Sequence, residues 1–99
     1  VVYTTSTLEP IMERTVTVAI AEGLHARPAA LFVAEAGQQP VGVTVTKVGS
    51  DTVDAASIIG VMTLGVSAGD QVVLATQDES ADSAAALDAL GTFLERAAV

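Results

Sequence analysis

Apolar residues recur along the chain at two spacings, and the switches between them mark out the elements in order. Thr15-Val16-Thr17-Val18-Ala19-Ile20 places Val16, Val18 and Ile20 on one side, the two-residue period of a half-buried strand. Glu22-Gly23 breaks that run. Between Pro28 and Ala36 the spacing changes: Ala29, Phe32, Val33 and Ala36 fall at i, i+3, i+4 and i+7, one face of a helix. Pro28 suits the first turn of that helix and Gly37 its end, so the helix is expected to begin at His25. Val41 to Val48 alternates again, and Gly49-Ser50-Asp51 turns it into Thr52-Val53, a hairpin. Ser57 opens Ile58-Ile59-Gly60-Val61-Met62-Thr63-Leu64, short enough for a two-turn helix closed by Gly65. Ala68-Gly69-Asp70 turns into a fourth strand, Gln71-Val72-Val73-Leu74-Ala75-Thr76. Ser80 or Asp78 caps a last helix, with Ala84, Leu87, Leu90, Leu94 and Ala97 as its expected buried stripe. The order is βαββαβα. Helices with a single apolar face then predict an α+β fold, an open-faced β-sandwich in which three helices cover a four-stranded antiparallel sheet.

These elements lie beyond Met12. Residues 1–11 are polar and Thr-rich, end in Pro10-Ile11, and are expected to be an expression remnant or a linker ahead of a domain spanning 12–99. A chain of 99 residues has room for one domain and one modest core. Hydrophobic residues make up 51% and charged ones 16%, which separates it from disordered acidic tails. Twelve acids against 4 bases leave a net charge of -8. That sign argues against nucleic acid, whose binders neutralise phosphates, and against anionic membrane surfaces. No stretch combines a basic start with an apolar core as a secretory signal does, and none approaches the ~18 apolar residues of a membrane span. A cytoplasmic domain without membrane insertion is therefore expected. The absence of cysteine excludes disulfides, thiol nucleophiles and thiolate metal sites, and the single histidine excludes a histidine-cluster metal centre. Neither a metal nor another cofactor is expected.

The chemistry concentrates on that histidine. Gly23-Leu24-His25-Ala26-Arg27-Pro28-Ala29 sets an imidazole at a helix start with a guanidinium two residues on. A helix start offers unpaired N–H groups, here the amides of Ala26 and Arg27, at the positive end of a dipole, which suits an anion. Arg27 adds a permanent charge with planar donors that match phosphate oxygens. A neutral imidazole keeps one ring nitrogen with a free lone pair and is a nucleophile. Phosphoryl transfer depends mainly on positioning and charge stabilisation, so this short string contains what such a transfer needs. The plainer reading makes His25 a helix cap and Arg27 a solvated side chain.

The string resembles the phosphohistidine motif of the HPr family, the histidine-containing phosphocarriers of bacterial sugar phosphotransferase systems. A second stretch, Ala56-Ser57-Ile58-Ile59-Gly60-Val61-Met62-Thr63-Leu64-Gly65, resembles that family's regulatory-serine segment, and the element order agrees from about Glu13 to Ala98. The resemblance implies that His25 accepts a phosphoryl group on Nδ1 from phosphorylated enzyme I and passes it to the A domain of a sugar permease. It makes the chain a carrier of a transient phosphohistidine rather than an enzyme. It gives Arg27 the task of steadying the phosphate, Ala26 that of donating its amide, and Ala30, Ile58, Ile59 and Met62 that of docking both partners. Helical geometry already forbids Ile58, Ile59 and Met62 all turning inward. Ser57 corresponds to a serine that an ATP-dependent HPr kinase phosphorylates in some members; as a plain helix cap it needs no such role. A carrier that meets successive partners is expected to be a monomer.

Two departures stand out. Ala56 replaces the lysine common before the regulatory serine, and Arg14, Arg27, Lys47 and Arg96 are the only bases, so the lysines that commonly ring the family's site are largely missing. Glu22 adds a negative charge beside the motif. Related readings are an HPr-like domain of a nitrogen-regulatory, fructose or dihydroxyacetone phosphotransferase system. A different class is a non-catalytic α/β regulatory or interaction domain whose His25 is only a cap.

Overall fold

Residues 12–97 are described in a computed structural model of the chain. Four strands and three helices follow in the order β1 (Met12–Thr17), α1 (Ala26–Gly37), β2 (Thr44–Lys47), β3 (Thr52–Asp54), α2 (Ile58–Thr63), β4 (Gln71–Thr76) and α3 (Ala81–Leu94). The strands form one antiparallel sheet in the spatial order β1-β4-β2-β3. Alternation decides which face is covered. Val16, Val45, Val72 and Leu74 are buried beneath the helices, whereas Thr15, Thr17 and Thr52 are exposed on the open face. There Thr46 and Thr52 share a hydroxyl hydrogen bond of 2.6 Å across β2 and β3.

β1 starts and ends earlier than the alternation alone predicts. Thr17 pairs with Gln71, the first residue of β4, so beyond it no strand remains to pair with. The backbone instead donates from Val18 N to Asp70 O at 2.9 Å and from Ala19 N to Leu94 O at 2.9 Å, while Val18 and Ile20 stay buried. β2 is likewise shorter than the Val41–Val48 run. The hairpin turn follows it, with Ser50 N donating to Lys47 O at 2.8 Å.

The helices close the core. α1 buries Pro28, Ala29, Phe32 and Ala36, and Phe32 meets Phe93 of α3 with ring centroids 5.7 Å apart at 56°. Ser80 caps α3 by accepting from Ser83 N at 3.0 Å; Asp78 serves as a brace, accepting from Ser80 N and from both serine hydroxyls. The buried stripe of α3 differs from the expected one. Ser83, Ala86, Leu87, Leu90, Gly91, Phe93 and Leu94 face inward, whereas Ala84 is exposed and Ala97 lies beyond the helix end. Gly91 is buried because the Arg14 guanidinium crosses over it, within 2.8 Å of where a Cβ would stand, to reach Asp88 at 2.7 Å and Glu95 at 3.2 Å. Alanine spacing could not show this, since alanine suits either face. The reading of residues 1–11 as remnant or linker lies outside the described residues.

Candidate functional site: the start of α1 and the face of α2

The turn that delivers His25 is built from close backbone packing. Gly23 N donates to Ile20 O at 2.9 Å, and Gly23 adopts φ +68°, a conformation open to glycine and costly for other residues. A Cβ at Gly23 would stand 2.5 Å from Val66 O and 2.9 Å from Ser67 Cα. Leu24 is fully buried, and its amide donates to Val66 O at 2.9 Å. The chain is thus anchored one residue before the histidine.

His25 is the N-cap of α1, extended at φ -123° and ψ 151°, and its side chain makes no capping hydrogen bond. The imidazole is therefore not committed to the cap, although the residue holds the cap position. The helix begins at Ala26, one residue later than expected, and Ala26 itself has φ +46°, a left-handed conformation that costs an alanine about 1–2 kcal/mol. Pro28 falls in the first turn, where its missing N–H leaves no bond unmade. His25, Ala26 and Arg27 are all exposed.

α2 packs against α1 and carries the second half of the site. Ser57 is its N-cap, its Oγ accepting from Gly60 N at 3.1 Å, and Ser57 N donates to Asp54 O at 3.0 Å. Gly60 leaves room for Val53, whose Cβ would be 3.1 Å from an added Cβ. Val61 is buried, so the remaining apolar residues must face out: Ile59 is 75% exposed, Met62 45% and Ile58 40%. Gly65, at φ +64°, ends the segment, its amide donating to Met62 O at 3.3 Å. Ala30 is exposed on α1, as expected. Leu31, at 37% exposure, and Val48, at 56%, are exposed apolar residues that the sequence reading missed. Leu31 could have been found, because it falls off the Ala29, Phe32, Val33, Ala36 stripe. Val48 could have been found too, because it is out of phase with Val41, Val43 and Val45 and falls on the side of Thr44 and Thr46.

Charge around the site is sparse. Arg14 bridges Asp88 and Glu95; Lys47 donates to Gly65 O at 3.1 Å and lies 3.5 Å from Asp70; Arg96 sits 5.9 Å over the Phe93 ring. The Asp70 carboxyl is held below its ordinary value first by the Ser67 amide, with Lys47 adding to it. Asp78 is lowered by the hydroxyls of Ser83 and Ser80 and by the Ser80 amide. Among the described residues no group of three or more His, Cys, Asp or Glu side chains is placed to hold a metal, and no helix is long and apolar enough to cross a membrane. A groove of about 300 Å³ lies along Glu35, Asp88, Thr92, Phe93 and Arg96, and one of about 250 Å³ on the open sheet face along Glu13, Thr44, Thr46 and Thr52. Neither is lined by His25, which is exposed on the surface.

Known proteins agree with this arrangement. The family model described as "PTS HPr component phosphorylation site" matches residues 12–96. The phosphocarrier protein HPr of Streptomyces coelicolor is 47% identical over 72 residues, 73% of this chain and 77% of that protein. The crystal structure of phosphocarrier protein HPr from Bacillus anthracis superposes with a TM-score of 0.78 at 37% identity, covering 85% of this chain and 96% of that one. The Bacillus subtilis catabolite repression protein Crh, described as a domain-swapped dimer, superposes with a TM-score of 0.66 at 38% identity, covering 90% of this chain and 99% of that one. Sequence motif, element order and superposition converge on one conclusion: the chain belongs to the HPr family of phosphotransferase-system phosphocarriers.

Proposed function

We propose that the chain carries a phosphoryl group on Nδ1 of His25, taking it from phosphorylated enzyme I and passing it to the A domains of sugar permeases. The observation that supports this most directly is an exposed histidine at the N-cap of α1 whose side chain is not used for capping. In the transfer, the Nδ1 lone pair attacks phosphorus while the bond from phosphorus to the donor breaks, and the reverse exchange occurs at the acceptor. The amides of Ala26 and Arg27 and the Arg27 guanidinium meet the phosphoryl oxygens, which is charge stabilisation by groups already in place. Ala30, Ile58, Ile59 and Met62 dock the partners, and their exposure is what an apolar docking patch requires.

Ser57 is the proposed regulatory position. A phosphate on its hydroxyl suits the start of α2 but sets a dianion beside Ile58 and Ile59, opposing apolar docking. The protein is proposed to act as a monomer; size measurement in solution distinguishes this from a swapped dimer such as that described for Crh.

Incubation with enzyme I and labelled phosphoenolpyruvate tests the proposal. The expected product is an acid-labile, alkali-stable label that is absent in His25→Ala, present in Ser57→Ala and slower to form in Arg27→Ala. Failure of the parent protein to take up label from a cognate enzyme I overturns it.

A further inference from the structure

Lys47 of β2 and Asp70, just before β4, lie outside the helices that carry the proposed site, yet their side chains bond to the segment on which the His25 turn rests. Lys47 Nζ donates to Gly65 O at 3.1 Å and stands 3.5 Å from Asp70 Oδ2. The same carboxylate oxygen accepts the Ser67 amide at 2.8 Å, and Asp70 N donates back to Ser67 O at 3.0 Å. Gly69 N donates to Val18 O at 2.7 Å and Val18 N to Asp70 O at 2.9 Å, which ties the turn to the end of β1. Residues 65–70 are therefore held at both ends. Their middle is the floor of the acceptor turn: Val66 O takes the Leu24 amide at 2.9 Å, and Val66 O and Ser67 Cα fill the space where a Gly23 side chain would be.

We propose that Lys47 and Asp70 are positioning residues for phosphoryl transfer, fixing through Gly65, Val66 and Ser67 the backbone of Gly23 and Leu24 and hence the direction in which His25 is presented. This rests on the carrier reading of His25. Gly65 also terminates the α2 segment, so the lysine ties the docking helix and the acceptor turn to the same point of the sheet. Both side chains are about one-third exposed, at 30% and 35%, so solvent screens their mutual attraction. What they supply is geometry. Lys47 reaches the Gly65 carbonyl from a residue distant in sequence, Asp70 closes the turn on the nearby Ser67 amide, and transfer is sensitive to displacements of about 1 Å in groups that aim a nucleophile.

The test uses Lys47→Met, Lys47→Arg and Asp70→Ala, with Arg14→Met as a comparator that breaks an ion pair between β1 and α3. In the unphosphorylated proteins, NMR follows Leu24 amide exchange and the His25 ring resonances. With enzyme I, steady-state rates give kcat and KM separately. Lys47→Met and Asp70→Ala are expected to speed Leu24 exchange about tenfold beyond any global loss of stability, to shift the His25 ring signals, and to lower kcat about tenfold with KM within about twofold. Lys47→Arg is expected to restore most of each effect, and Arg14→Met to show none. Positioning is overturned if Leu24 exchange merely tracks global stability and kcat is unchanged, or if Arg14→Met produces the same changes. If the parent protein takes up no phosphate, the carrier reading fails, while the exchange and ring signals still decide whether the pair aims His25.

Discussion

Replacing Gly23 by alanine perturbs the molecule at one defined point, and the structure sets the size of the effect. The backbone there has φ +68°, which costs a residue with a Cβ about 1–2 kcal/mol. The new methyl would stand 2.5 Å from Val66 O, so reaching an ordinary 3.4 Å requires a retreat of about 0.9 Å. The obstacle is backbone, and the same carbonyl accepts the Leu24 amide at 2.9 Å, so yielding space weakens a bond worth about 0.5–1.5 kcal/mol. Together these predict destabilisation of about 3 kcal/mol, in the range of the more damaging single substitutions. Urea denaturation should show a lower midpoint with an unchanged slope, and thermal melting should drop by more than about 10 °C. Gly37→Ala is the matched comparison: it ends α1 with nothing within 4 Å of an added Cβ, and alanine there should be neutral or stabilising by up to about 1 kcal/mol. A loss below about 1 kcal/mol in Gly23→Ala, or equal losses in both variants, would refute the argument that the acceptor turn is held by backbone contact with residues 66–67.

Three further outcomes are expected. Ser57→Ala removes the hydroxyl that accepts Gly60 N and should cost about 1 kcal/mol by urea denaturation, with α2 amides exchanging faster while phosphate uptake on His25 persists. Ala26→Gly relieves a left-handed alanine, offset by glycine's entropy cost of about 0.5–1 kcal/mol, and should be neutral or stabilising by up to about 1 kcal/mol, whereas Ala34→Gly, on the exposed face of α1, should cost about 1 kcal/mol in the same melts. Asp70 and Asp78 both titrate below the ordinary aspartate value of 3.8 in the folded protein. Their stabilisation is therefore complete above that value and is lost as pH falls through the depressed folded values, so the urea midpoint should decline in this acid range and decline less steeply in Asp78→Asn.

The elements whose residues contact their neighbours in sequence were legible; what depended on distant partners was not. Val16, Val18 and Ile20 announced a buried side of the chain, and Ala29, Phe32 and Ala36 a helix face, because burial imposes a period that a single sequence displays. The end of β1 was misplaced because it depends on where β4 begins, a fact that Thr17 does not carry. The stripe of α3 was misassigned because six of its first nine residues are alanine or serine, small enough for either side, and because Gly91 is buried under Arg14, 77 positions earlier in the chain. At the site, the motif around His25 and the apolar segment after Ser57 could be read directly. The floor beneath them could not. Lys47 is an ordinary strand lysine until the pairing of β2 with β4 brings it beside Val72, and only then are Gly65 and Asp70 within its reach.

The acidic composition acquires a structural meaning once the four bases are located. Arg14, Lys47 and Arg96 are each engaged with α3 or with the 65–70 segment, and Arg27 is the base at the start of α1. Charges in the cell are screened over about 8 Å, so one guanidinium on a chain of net charge -8 cannot project an attractive field toward an acidic partner at a distance. In the proposed transfer, Arg27 and the helix amides act at contact range, on the phosphoryl group itself. In the proposed docking, affinity comes from the other resource this face offers, the outward side chains of Ile58, Ile59 and Met62; covering Ile59, 75% exposed, contributes about 1–2 kcal/mol, and covering the 40–45% of Ile58 and Met62 still exposed about 1 kcal/mol each. Such contacts govern how long a complex lasts more than how quickly it forms. On the proposed reading, a carrier that releases two partners in turn gains from a patch of this modest size, since a larger apolar surface would hold the first partner too long to reach the second.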